Sequence, residues 1–239
     1  MVLVVNDGGA SGIEIVKQLL LRKHDVVLIE REPFNDENLL KEGSLKTYVV
    51  DFYKTENIAE EIKKILADGI KLKGFVYAAG IGGVRPLGLT TTPFLHQMMN
   101  ANLYAFVEFV RCVCKKIYFE SEGSVVAISS VSSTKGLKSK IAYSASKAAL
   151  DGAIRGMAAE LADRKIRVNS IQKGWVRADM QHGFIQDNMA LSEQDDLKKQ
   201  LLGVIETEDL AKLVCYLLSD DAKFITGTNM VLDGGYTIS

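Results

Sequence analysis

The sequence has no long hydrophobic run and no excess of charge of either sign. No apolar stretch approaches the ~20 residues that a helix needs to cross a bilayer. The apolar start at residues 1–5 stops at Asn6 and has no basic leader, so we expect no signal peptide. The 29 Lys and Arg residues nearly balance the 30 Asp and Glu residues, for a formal charge of −1. Charge therefore gives no reason to expect nucleic acid or a membrane as a partner.

Cysteine is also scarce, and the three residues Cys112, Cys114 and Cys215 follow no metal-binding spacing. Cys112 and Cys114 are two positions apart in a predicted helix, so their side chains point to nearly opposite faces and cannot pair. The three histidines are scattered as well, so we expect no metal site. Buried, unpaired cysteines indicate a reducing compartment, and we expect a cytoplasmic location.

The remaining composition is that of a globular domain, with 47% apolar and 25% charged residues in a chain of 239. Short β-branched runs alternate with helical stretches along the whole chain, and residues 1–239 are predicted to form one domain. The predicted strands are Val2–Val5, Val26–Ile29, Thr47–Val50, Phe75–Tyr77, Val125–Ile128, Val168–Ile171 and Met230–Leu232. The predicted helices are Gly12–Lys23, Asn57–Ala67, Phe94–Phe119, Tyr143–Asp163 and Glu208–Ser219. This alternation predicts an α/β fold of Rossmann type, a doubly wound seven-stranded parallel sheet with helices on both faces.

One stretch departs from the alternation. Residues 179–204 are polar, follow a predicted strand, and include His182, Phe184, Ile185 and Met189. A long insertion in a compact domain suggests a lid or a binding loop, although ordinary loop packing explains these side chains equally well.

The first predicted strand leads into a glycine-rich turn, and a helix follows. Backbone N–H groups and the positive helix end of such a turn can face the phosphates of a dinucleotide, because glycine lets the backbone come close. The spacing here is Gly8-x3-Gly12-x-Glu14, which differs from GxGxxG. Taken alone, the turn fits a purely structural role as well as a cofactor site.

This spacing and several later motifs resemble the short-chain dehydrogenase/reductase family. In the family's TGxxxGxG motif, Asp7 stands for the Thr and Glu14 for the third glycine. Tyr143 and Lys147 match YxxxK, and Ser130 lies thirteen residues before the Tyr, as the catalytic serine does in the family. The matching segments run in the expected order through nearly the whole chain: Asn100-Ala101-Asn102-Leu103, Ile166-Arg167-Val168-Asn169, Ile225-Thr226-Gly227 and Asp233-Gly234-Gly235.

The resemblance implies a carbonyl/alcohol oxidoreductase with a nicotinamide cofactor. Its catalytic residues would be Ser130, Tyr143, Lys147 and Asn102, where Asn102 breaks its helix locally and holds a water in a proton relay to the lysine. Its cofactor contacts would be Gly8, Ser11, Gly12, Ile13, Glu30, Arg31, Asp51, Phe52, Ala79, Gly80, Tyr143, Lys147, Gly174 and Val176. Enoyl reductases of this superfamily space the Tyr and Lys more widely than this chain does.

The chemistry supports the pairing of Tyr143 with Lys147. A free tyrosine titrates near ~10, too high for efficient proton exchange at neutral pH. The two residues are four apart on a predicted helix and therefore share a face, so the lysine can favour the phenolate. In the family this lysine also holds the nicotinamide ribose, and Ser130 polarises the substrate oxygen.

The second strand bears on which nicotinamide is bound. An acidic Glu30 can accept hydrogen bonds from ribose hydroxyls and would repel a 2′-phosphate, whereas Arg31 would attract one. Ser11 stands where NADP-preferring members often carry a basic residue. We therefore expect NAD, with NADP as the alternative.

Several positions depart from the family pattern. Glu14 adds bulk and negative charge near the helix N-terminus, and we expect it to weaken cofactor binding or tilt the first helix. Tyr77 replaces an Asn that braces the central strands, and Lys173 replaces a Pro. These changes leave open a catalytically weak, cofactor-binding scaffold subunit.

The substrate is not named by the sequence. The resemblance suggests a small molecule or an acyl thioester, with a 3-oxoacyl thioester first and a polyol, sugar or other secondary alcohol close behind. Lys135, Lys138 and Lys140 could meet an acidic carrier or a phosphorylated substrate, although a solvated loop explains them better. The family also implies a homo-oligomer, a tetramer or a dimer.

Overall fold

The structure, a computed structural model, describes residues 1–67, 69–180 and 197–239. Its seven strands are β1 Val2–Val5, β2 Val26–Glu30, β3 Leu45–Val49, β4 Leu72–Tyr77, β5 Phe119–Ser130, β6 Arg167–Lys173 and β7 Asn229–Leu232. The helices are α1 Ala10–Leu21, α2 Glu37–Leu40, α3 Ile58–Ile65, α4 Thr92–Met99, α5 Ala105–Val113, α6 Ile141–Leu161 and α7 Thr207–Leu218. The strands form one parallel sheet in the order β3-β2-β1-β4-β5-β6-β7.

The strand order reverses beside β1, and this fixes where a ligand can bind. The chain builds outward from β1 through β2 to β3, then crosses to β4 on the other side of β1. Val5 and Tyr77 are register partners at the carboxyl ends of β1 and β4. Loops that leave these two ends diverge and open a crevice, the usual ligand position in open α/β sheets. The predicted Rossmann-type sheet is confirmed.

Each face of the sheet is covered by helices because successive strand residues point to opposite sides. Leu3 and Phe75 pack on the face with α3, α5 and α6, where Phe109 and Leu150 are fully buried. Val4 packs on the opposite face with α1 and α7. The two apolar layers hold the crevice on rigid elements.

The two edge strands are less buried than the central strands of the sheet. In β3, Val49 is 57% exposed, and in β7, Val231 is 51% exposed. Each of these strands has a neighbour on one side only and is partly uncovered. Apolar β-branched composition is shared by edge and central strands, so it could not separate them.

The predicted helix Phe94–Phe119 is wrong as a single element. The structure divides it into α4, a π-helical segment Asn100–Tyr104, and α5, and Phe119 begins β5. Helical periodicity persists through a π segment, which adds one residue to a turn, so the pattern did not reveal the break. The short helix α2 was not predicted.

The three cysteines are buried and unpaired, as predicted. Burial raises the pKa of the Cys114 thiol to about 12, which makes it a poor nucleophile. Within the described residues, no helix is long and apolar enough to cross a bilayer. No group of three or more His, Cys, Asp or Glu side chains suited to a metal ion occurs in the same part of the chain. A cytoplasmic location stays a prediction.

Candidate active site

The glycine turn after β1 is organised around a buried asparagine. The Asn6 amide nitrogen donates to Glu30 Oε1 (2.8 Å) and to the Gly9 carbonyl (3.0 Å). Gly9 is the N-cap of α1, and Gly8 adopts a left-handed conformation (φ 69°) with open space where a Cβ would project. The turn therefore presents bare backbone at the start of a helix, the arrangement that accepts phosphate groups.

Gly12 is the closest point between α1 and the end of β1. A Cβ at this position would lie 2.1 Å from Asn6 Oδ1 and 2.9 Å from Asn6 Cβ. Glu14, by contrast, is half-buried and accepts a hydrogen bond from Gln18, and α1 continues through it without a break. The start of α1 therefore packs closely against Asn6 at Gly12, and not at Glu14, which stands at the third glycine position of the motif. The effect of Glu14 on cofactor affinity stays a prediction.

Replacing Gly12 with alanine should disrupt this turn. The added methyl group would force Asn6 from its buried position and break its bonds to Glu30 and Gly9. We expect a stability loss of about 1–3 kcal/mol, since overpacking outweighs the gain in helix propensity of ~1 kcal/mol. Thermal unfolding measures it, with Gly9→Ala as the matched control, because a Cβ there lies at an ordinary 3.4 Å from the same oxygen. Equal stability of the two variants would contradict the tight contact.

Glu30 holds the turn from the end of β2. Its side chain is 4% exposed, and its second oxygen accepts from the Gly8 backbone N–H at 2.8 Å. Burial raises the pKa of this carboxyl, while the bonds from Gly8 and Asn6 oppose the rise. The contact to ribose hydroxyls predicted for Glu30 stays a prediction, and the structure adds a role in shaping the loop.

Arg31 is paired with Asp7. Its Nε donates to Asp7 Oδ1 at 2.6 Å, and its guanidinium lies 4.3 Å from the centroid of the Tyr53 ring. The Tyr53 hydroxyl donates to the other Asp7 oxygen. The glycine motif identifies Asp7 only as the substitute for a Thr, and neither contact was predictable from it.

Two predicted cofactor contacts, Asp51 and Phe52, follow β3 and differ from each other in burial. Asp51 is exposed and forms an ion pair with Lys54 at 3.2 Å, so its adenine contact stays a prediction. The Phe52 side chain is fully buried and packs against Tyr53 and Phe109 at ring-centroid distances of 5.3 Å and 5.9 Å. Its side chain therefore belongs to the core, and the cofactor contact expected at Phe52 stays a prediction.

Asn102 lies in the π-helical segment, so the local helix break expected at this residue is present. The side chain is fully buried, accepts from the Ile81 N–H (2.9 Å), and donates to the Ile81 carbonyl (3.0 Å) and Ser146 Oγ (2.9 Å). Ser146 in turn donates to the Tyr143 carbonyl. Asn102 thus joins the loop after β4 to the start of α6, and its water relay stays a prediction.

Tyr77, the residue that replaces the family's bracing Asn, supports the same segment. Its buried hydroxyl donates to the Ala101 carbonyl at 2.7 Å. A π-helical turn changes the regular carbonyl pairing, and this phenol supplies a donor from β4. A different side chain therefore ties the central strand to the Asn102 segment.

Lys147 lies one turn after Tyr143 on α6. Its Nζ donates to the Ile128 carbonyl at 2.9 Å and lies 5.9 Å from the Tyr143 ring centroid. Burial lowers the pKa of the ammonium to about 8, and nearby Lys173 adds to the lowering. Asp151, a buried carboxylate one turn further along α6, acts in the opposite direction.

Asp151 was not predicted from the sequence, although a charged residue on the apolar face of a helix was a signal for it. Its two oxygens accept from Ser170 (2.7 Å) and Gln172 (2.8 Å) of β6. These bonds fix α6, and with it Lys147, against the sheet. Asn6 was missed as well, and its signal was a polar residue directly after an apolar strand.

Ser130 ends β5, at the carboxyl edge of the sheet. It is 7% exposed, and its hydroxyl accepts from the Ser132 N–H at 3.1 Å as the cap of a short 3-10 turn, Val131–Ser133. This turn packs against α6. Ser130 is thus carried to the helix that holds Tyr143 and Lys147.

The loop after β6 presents backbone to the crevice. Gly174 lies so close to Asp233 that a Cβ would be 3.0 Å from the Asp233 Cα. Val176 is fully buried and lies opposite Ile205 in a short parallel β-bridge. The hydrogen bonds of this bridge join Ile205 to the backbone of Trp175 and Arg177, so they do not use the N–H and C=O of Val176.

The remaining predicted cofactor positions lie after β4 and at the start of α1. Ala79 is buried two residues after the end of β4, beside Gly80, whereas Ser11 is buried and Ile13 half-buried in the first turns of α1. Their cofactor contacts stay predictions.

Most of the predicted lid, including His182, Phe184, Ile185 and Met189, lies outside the described residues. Gln200, within the described part, is buried and bonds the backbone of Trp175 and Gly203. The lysine cluster is partly used internally: Lys135 donates to the Tyr236 carbonyl at 2.6 Å, and Lys140 lies 4.7 Å from the Trp175 ring centroid. Lys138 is exposed.

Comparison with known proteins identifies this arrangement. A family sequence model described as enoyl-(acyl carrier protein) reductase matches residues 9–237. The chain belongs to the short-chain dehydrogenase/reductase family. It is an NAD(P)-dependent oxidoreductase of this family, whose relatives are named reductases and dehydrogenases.

The family's relatives cover nearly the whole chain. L-xylulose reductase of Caenorhabditis elegans is 29% identical over 99% of this chain and 95% of its own length. The human 3-oxoacyl-acyl-carrier-protein reductase is 31% identical over 95% of this chain and 94% of its own. A solved structure of 4-hydroxyisoleucine dehydrogenase complexed with NADH matches 100% of both chains, with a TM-score of 0.86 and 27% identity.

The residues of the crevice fit a nicotinamide dinucleotide. Gly8 leaves open space beside the N-terminus of α1. At Gly80 (φ 152°), a Cβ would lie 2.6 Å from Asn102 Oδ1 and 3.3 Å from Lys147 Nζ, so only glycine lets the backbone pass this close to the two side chains. Gly8 and the first turn of α1 would hold the pyrophosphate, and Lys147 and the backbone of Val176 would hold the nicotinamide end.

Proposed function

We propose that the chain is an NAD-preferring oxidoreductase that interconverts a secondary alcohol and a ketone, with Tyr143 as general acid and base. The bound nicotinamide supplies or accepts the hydride. The protein binds and orients the substrate oxygen and moves the proton. The observation that carries the proposal is the buried Lys147 ammonium on the same helix face as Tyr143, beside the turn that carries Ser130.

The roles follow from the chemistry of each group. In the reductive direction, the Tyr143 hydroxyl gives its proton to the ketone oxygen, and the Lys147 charge favours the phenolate that remains. The Ser130 hydroxyl donates to the same oxygen and orients it. Asn102 keeps the Ile81 loop and the start of α6 together.

The charges at the adenosine end support NAD. Glu30 places a carboxylate at the end of β2, where a 2′-phosphate would be repelled. Arg31, the feature that favours NADP, is paired with Asp7. We therefore propose NAD as the preferred cofactor.

For the substrate, we propose a 3-oxoacyl thioester. Leu201 and Leu202 are 63% and 90% exposed on the segment that packs against the loops at 174–175 and 233–235. Exposed apolar side chains on a segment that bonds the loop after β6 suit an acyl chain better than a polyol. The human relative that acts on a 3-oxoacyl group supports the same class, whereas the C. elegans relative supports a sugar as the alternative.

Two alternative functions, an enoyl reductase and a scaffold subunit, predict different properties. An enoyl reductase, the description of the matching family model, would act on a carbon–carbon double bond, and the four-residue spacing of Tyr143 and Lys147 favours a ketone instead. A scaffold subunit would bind the cofactor without turnover, and the presence of all four predicted catalytic residues argues against it.

Titration of the purified chain with NADH and NADPH, followed by nicotinamide fluorescence, tests the cofactor proposal. We expect micromolar binding of NADH and at least roughly tenfold weaker binding of NADPH, the effect of one unfavourable charge contact of ~1.4 kcal/mol. Tighter binding of NADPH would contradict the NAD preference. Absence of binding to either at millimolar concentration would contradict the function itself.

A substrate panel then separates the reaction classes. Acetoacetyl thioester, a ketose and an enoyl thioester are each supplied with NADH, and the loss of nicotinamide absorbance is followed. We expect the highest kcat/KM with the 3-oxoacyl thioester. Preference for the ketose would favour the sugar alternative, and turnover of the enoyl thioester alone would contradict the ketone proposal.

We also propose that the chain forms a homo-oligomer. Tyr104 and Val107 are 45% and 37% exposed near the start of α5, and Phe224, Val231 and Ile238 are exposed beside the sheet edge at β7. Exposed apolar side chains grouped on a helix and a sheet edge are typical of subunit interfaces. Light scattering would give the mass, and a monomer at micromolar concentration would contradict the proposal.

A further inference from the structure

Asp7 is the centre of a small charged cluster at the adenosine end of the crevice. One carboxylate oxygen accepts from Arg31 Nε at 2.6 Å, and the other accepts from the Tyr53 hydroxyl. The Arg31 guanidinium also stacks over the Tyr53 ring. The Asp7 side chain is 13% exposed and the Arg31 side chain 33%, so the pair lies at the surface of the crevice with its carboxylate mostly covered.

The topology places this cluster where the cofactor's adenosine ribose is expected. Asp7 follows β1, Arg31 follows β2 directly, and Tyr53 follows β3, so the three carboxyl ends bring them together. The next residue after Asp7 is Gly8, whose N–H binds the Glu30 carboxylate. In dinucleotide folds, the residue at the end of this second strand meets the ribose 2′ position, and a nearby Arg accommodates a 2′-phosphate.

The pairing changes what Arg31 can offer to that phosphate. A free guanidinium recognises phosphate through two parallel charge-assisted hydrogen bonds. Here Asp7 neutralises its charge at contact distance, and the Glu30 carboxylate is buried nearby. Lys54, which follows β3, is paired with Asp51. A dianionic phosphate bound at Arg31 would therefore lie close to Asp7 and be repelled by it.

We propose that Asp7 is a specificity-determining residue, which neutralises Arg31 and thereby makes the adenosine end select NAD over NADP. The inference rests on the proposed function, because it requires that the crevice bind a nicotinamide dinucleotide. It assigns the selection to Asp7, the residue before Gly8, as well as to Glu30 at the end of β2.

The test is Asp7→Asn, which keeps the size of the side chain and removes its charge. The full chain and the variant are titrated with NADH and with NADPH at one ionic strength, and nicotinamide fluorescence gives each Kd. We expect NADPH to bind roughly tenfold or more tightly to the variant, as one charge-assisted contact to phosphate allows. The Kd for NADH should change by less than about threefold, since the hydroxyl of its ribose carries no charge.

Glu32→Gln is the matched control. Glu32 is exposed and next to Arg31, so the substitution removes the same charge from the same region without touching the cluster. We expect its ratio of NADPH to NADH affinity to stay within about twofold of the parent, because exposed charges are strongly screened. An equal gain in both variants would overturn the proposal, since general electrostatics would then explain it.

Two further variants keep the test decisive. Asp7→Asn combined with Arg31→Gln should lose the gained NADPH affinity, because the guanidinium that the first substitution releases is absent. Should Asp7→Asn fail to fold, Asp7→Thr removes the same carboxylate with a smaller polar side chain. It should shift the preference toward NADPH in the same direction by at least a few-fold, because Arg31 again loses the charge that neutralises it.

The outcomes separate this inference from the proposed function. If the parent binds NADH and the ratio in Asp7→Asn stays unchanged, the role of Asp7 is overturned while the oxidoreductase remains. If a gain in NADPH affinity persists without Arg31, the role of the pair is overturned. If the parent binds neither nucleotide, the proposed function fails and this inference fails with it.

Discussion

Replacing Tyr143 with phenylalanine should lower turnover by roughly 10²–10⁴-fold, the usual contribution of a positioned general acid or base. The ring remains at the start of α6, so packing against the neighbouring residues is retained. Only the hydroxyl that exchanges a proton with the substrate oxygen is lost. The measurement is kcat on the fastest substrate of the panel, together with the Kd for NADH.

The cofactor affinity separates catalysis from binding in this experiment. We expect the Kd for NADH to stay within about twofold, because a lost interaction made only in the transition state lowers kcat without weakening the ground-state complex. Tyr216→Phe is the control, since Tyr216 lies on α7 at the opposite face of the sheet. Retention of turnover in Tyr143→Phe would refute the proposed acid/base role, and a scaffold or another mechanism would replace it.

Replacing Lys147 with methionine should abolish turnover and yet stabilise the fold at neutral pH. Burial lowers the pKa of this ammonium from 10.5 to about 8, so the charged form is disfavoured by about 3 kcal/mol relative to the unfolded chain. Methionine fills a similar volume without a charge, and the lost bond to the Ile128 carbonyl costs about 1 kcal/mol. The net gain of about 2 kcal/mol should raise Tm by roughly 5 °C.

The pH dependence of this difference follows from proton linkage. The pKa of Lys147 is lower in the folded protein (about 8) than in the unfolded chain (10.5), so the unfolded chain binds more protons between these two pH values. The contribution of Lys147 to the stability of the parent is therefore highest above pH 10.5 and decreases as the pH falls through about 8. The advantage of Lys147→Met should therefore be largest below pH 8 and shrink as the pH rises toward 10.5. Differential scanning fluorimetry at pH 7, 8.5 and 10 would measure the trend.

A matched lysine controls for the loss of charge in general. Lys63 is exposed on α3, and Lys63→Met should change Tm by less than about 2 °C at every pH, as surface substitutions do. A lower Tm for Lys147→Met than for the parent at pH 7 would show that the ammonium is a stabilising group, and the argument from burial would be wrong. Turnover in this variant should fall by at least about 10²-fold, because the cation that favours the Tyr143 phenolate is gone.

The central strands and the catalytic helix were predictable from local pattern. β1 matches its predicted bounds, and α6 differs from the prediction by two residues at each end. The strand β1 is a continuous apolar run, and the helix α6 is long and keeps one helical periodicity, so the local pattern was sufficient to predict both. The Tyr143–Lys147 pair followed from the same periodicity, since residues four apart on a helix share a face.

The edge strands and the π-helical segment were not predictable in the same way. Whether β3 is covered depends on which strands flank it, and Leu45–Val49 contains no signal for that. The extra residue in the turn at Asn102 is stabilised by Ile81 and Ser146, which come from distant parts of the chain. Such contacts exist only after the sheet and α6 are assembled.

The sequence by itself determined the succession of strands and helices along the chain, the glycine turn, and the spacing of Ser130, Tyr143 and Lys147, because these features depend on residues that are near one another in sequence. Only the tertiary structure decided that Arg31 pairs with Asp7 and that Glu30 turns inward to bind Gly8. Polar groups 22 and 24 positions apart along the chain meet because β1 and β2 are adjacent in the sheet. The proposed selection between NAD and NADP therefore depends on which strands are adjacent in the sheet, whereas the proposed proton transfer depends on two residues of the single helix α6.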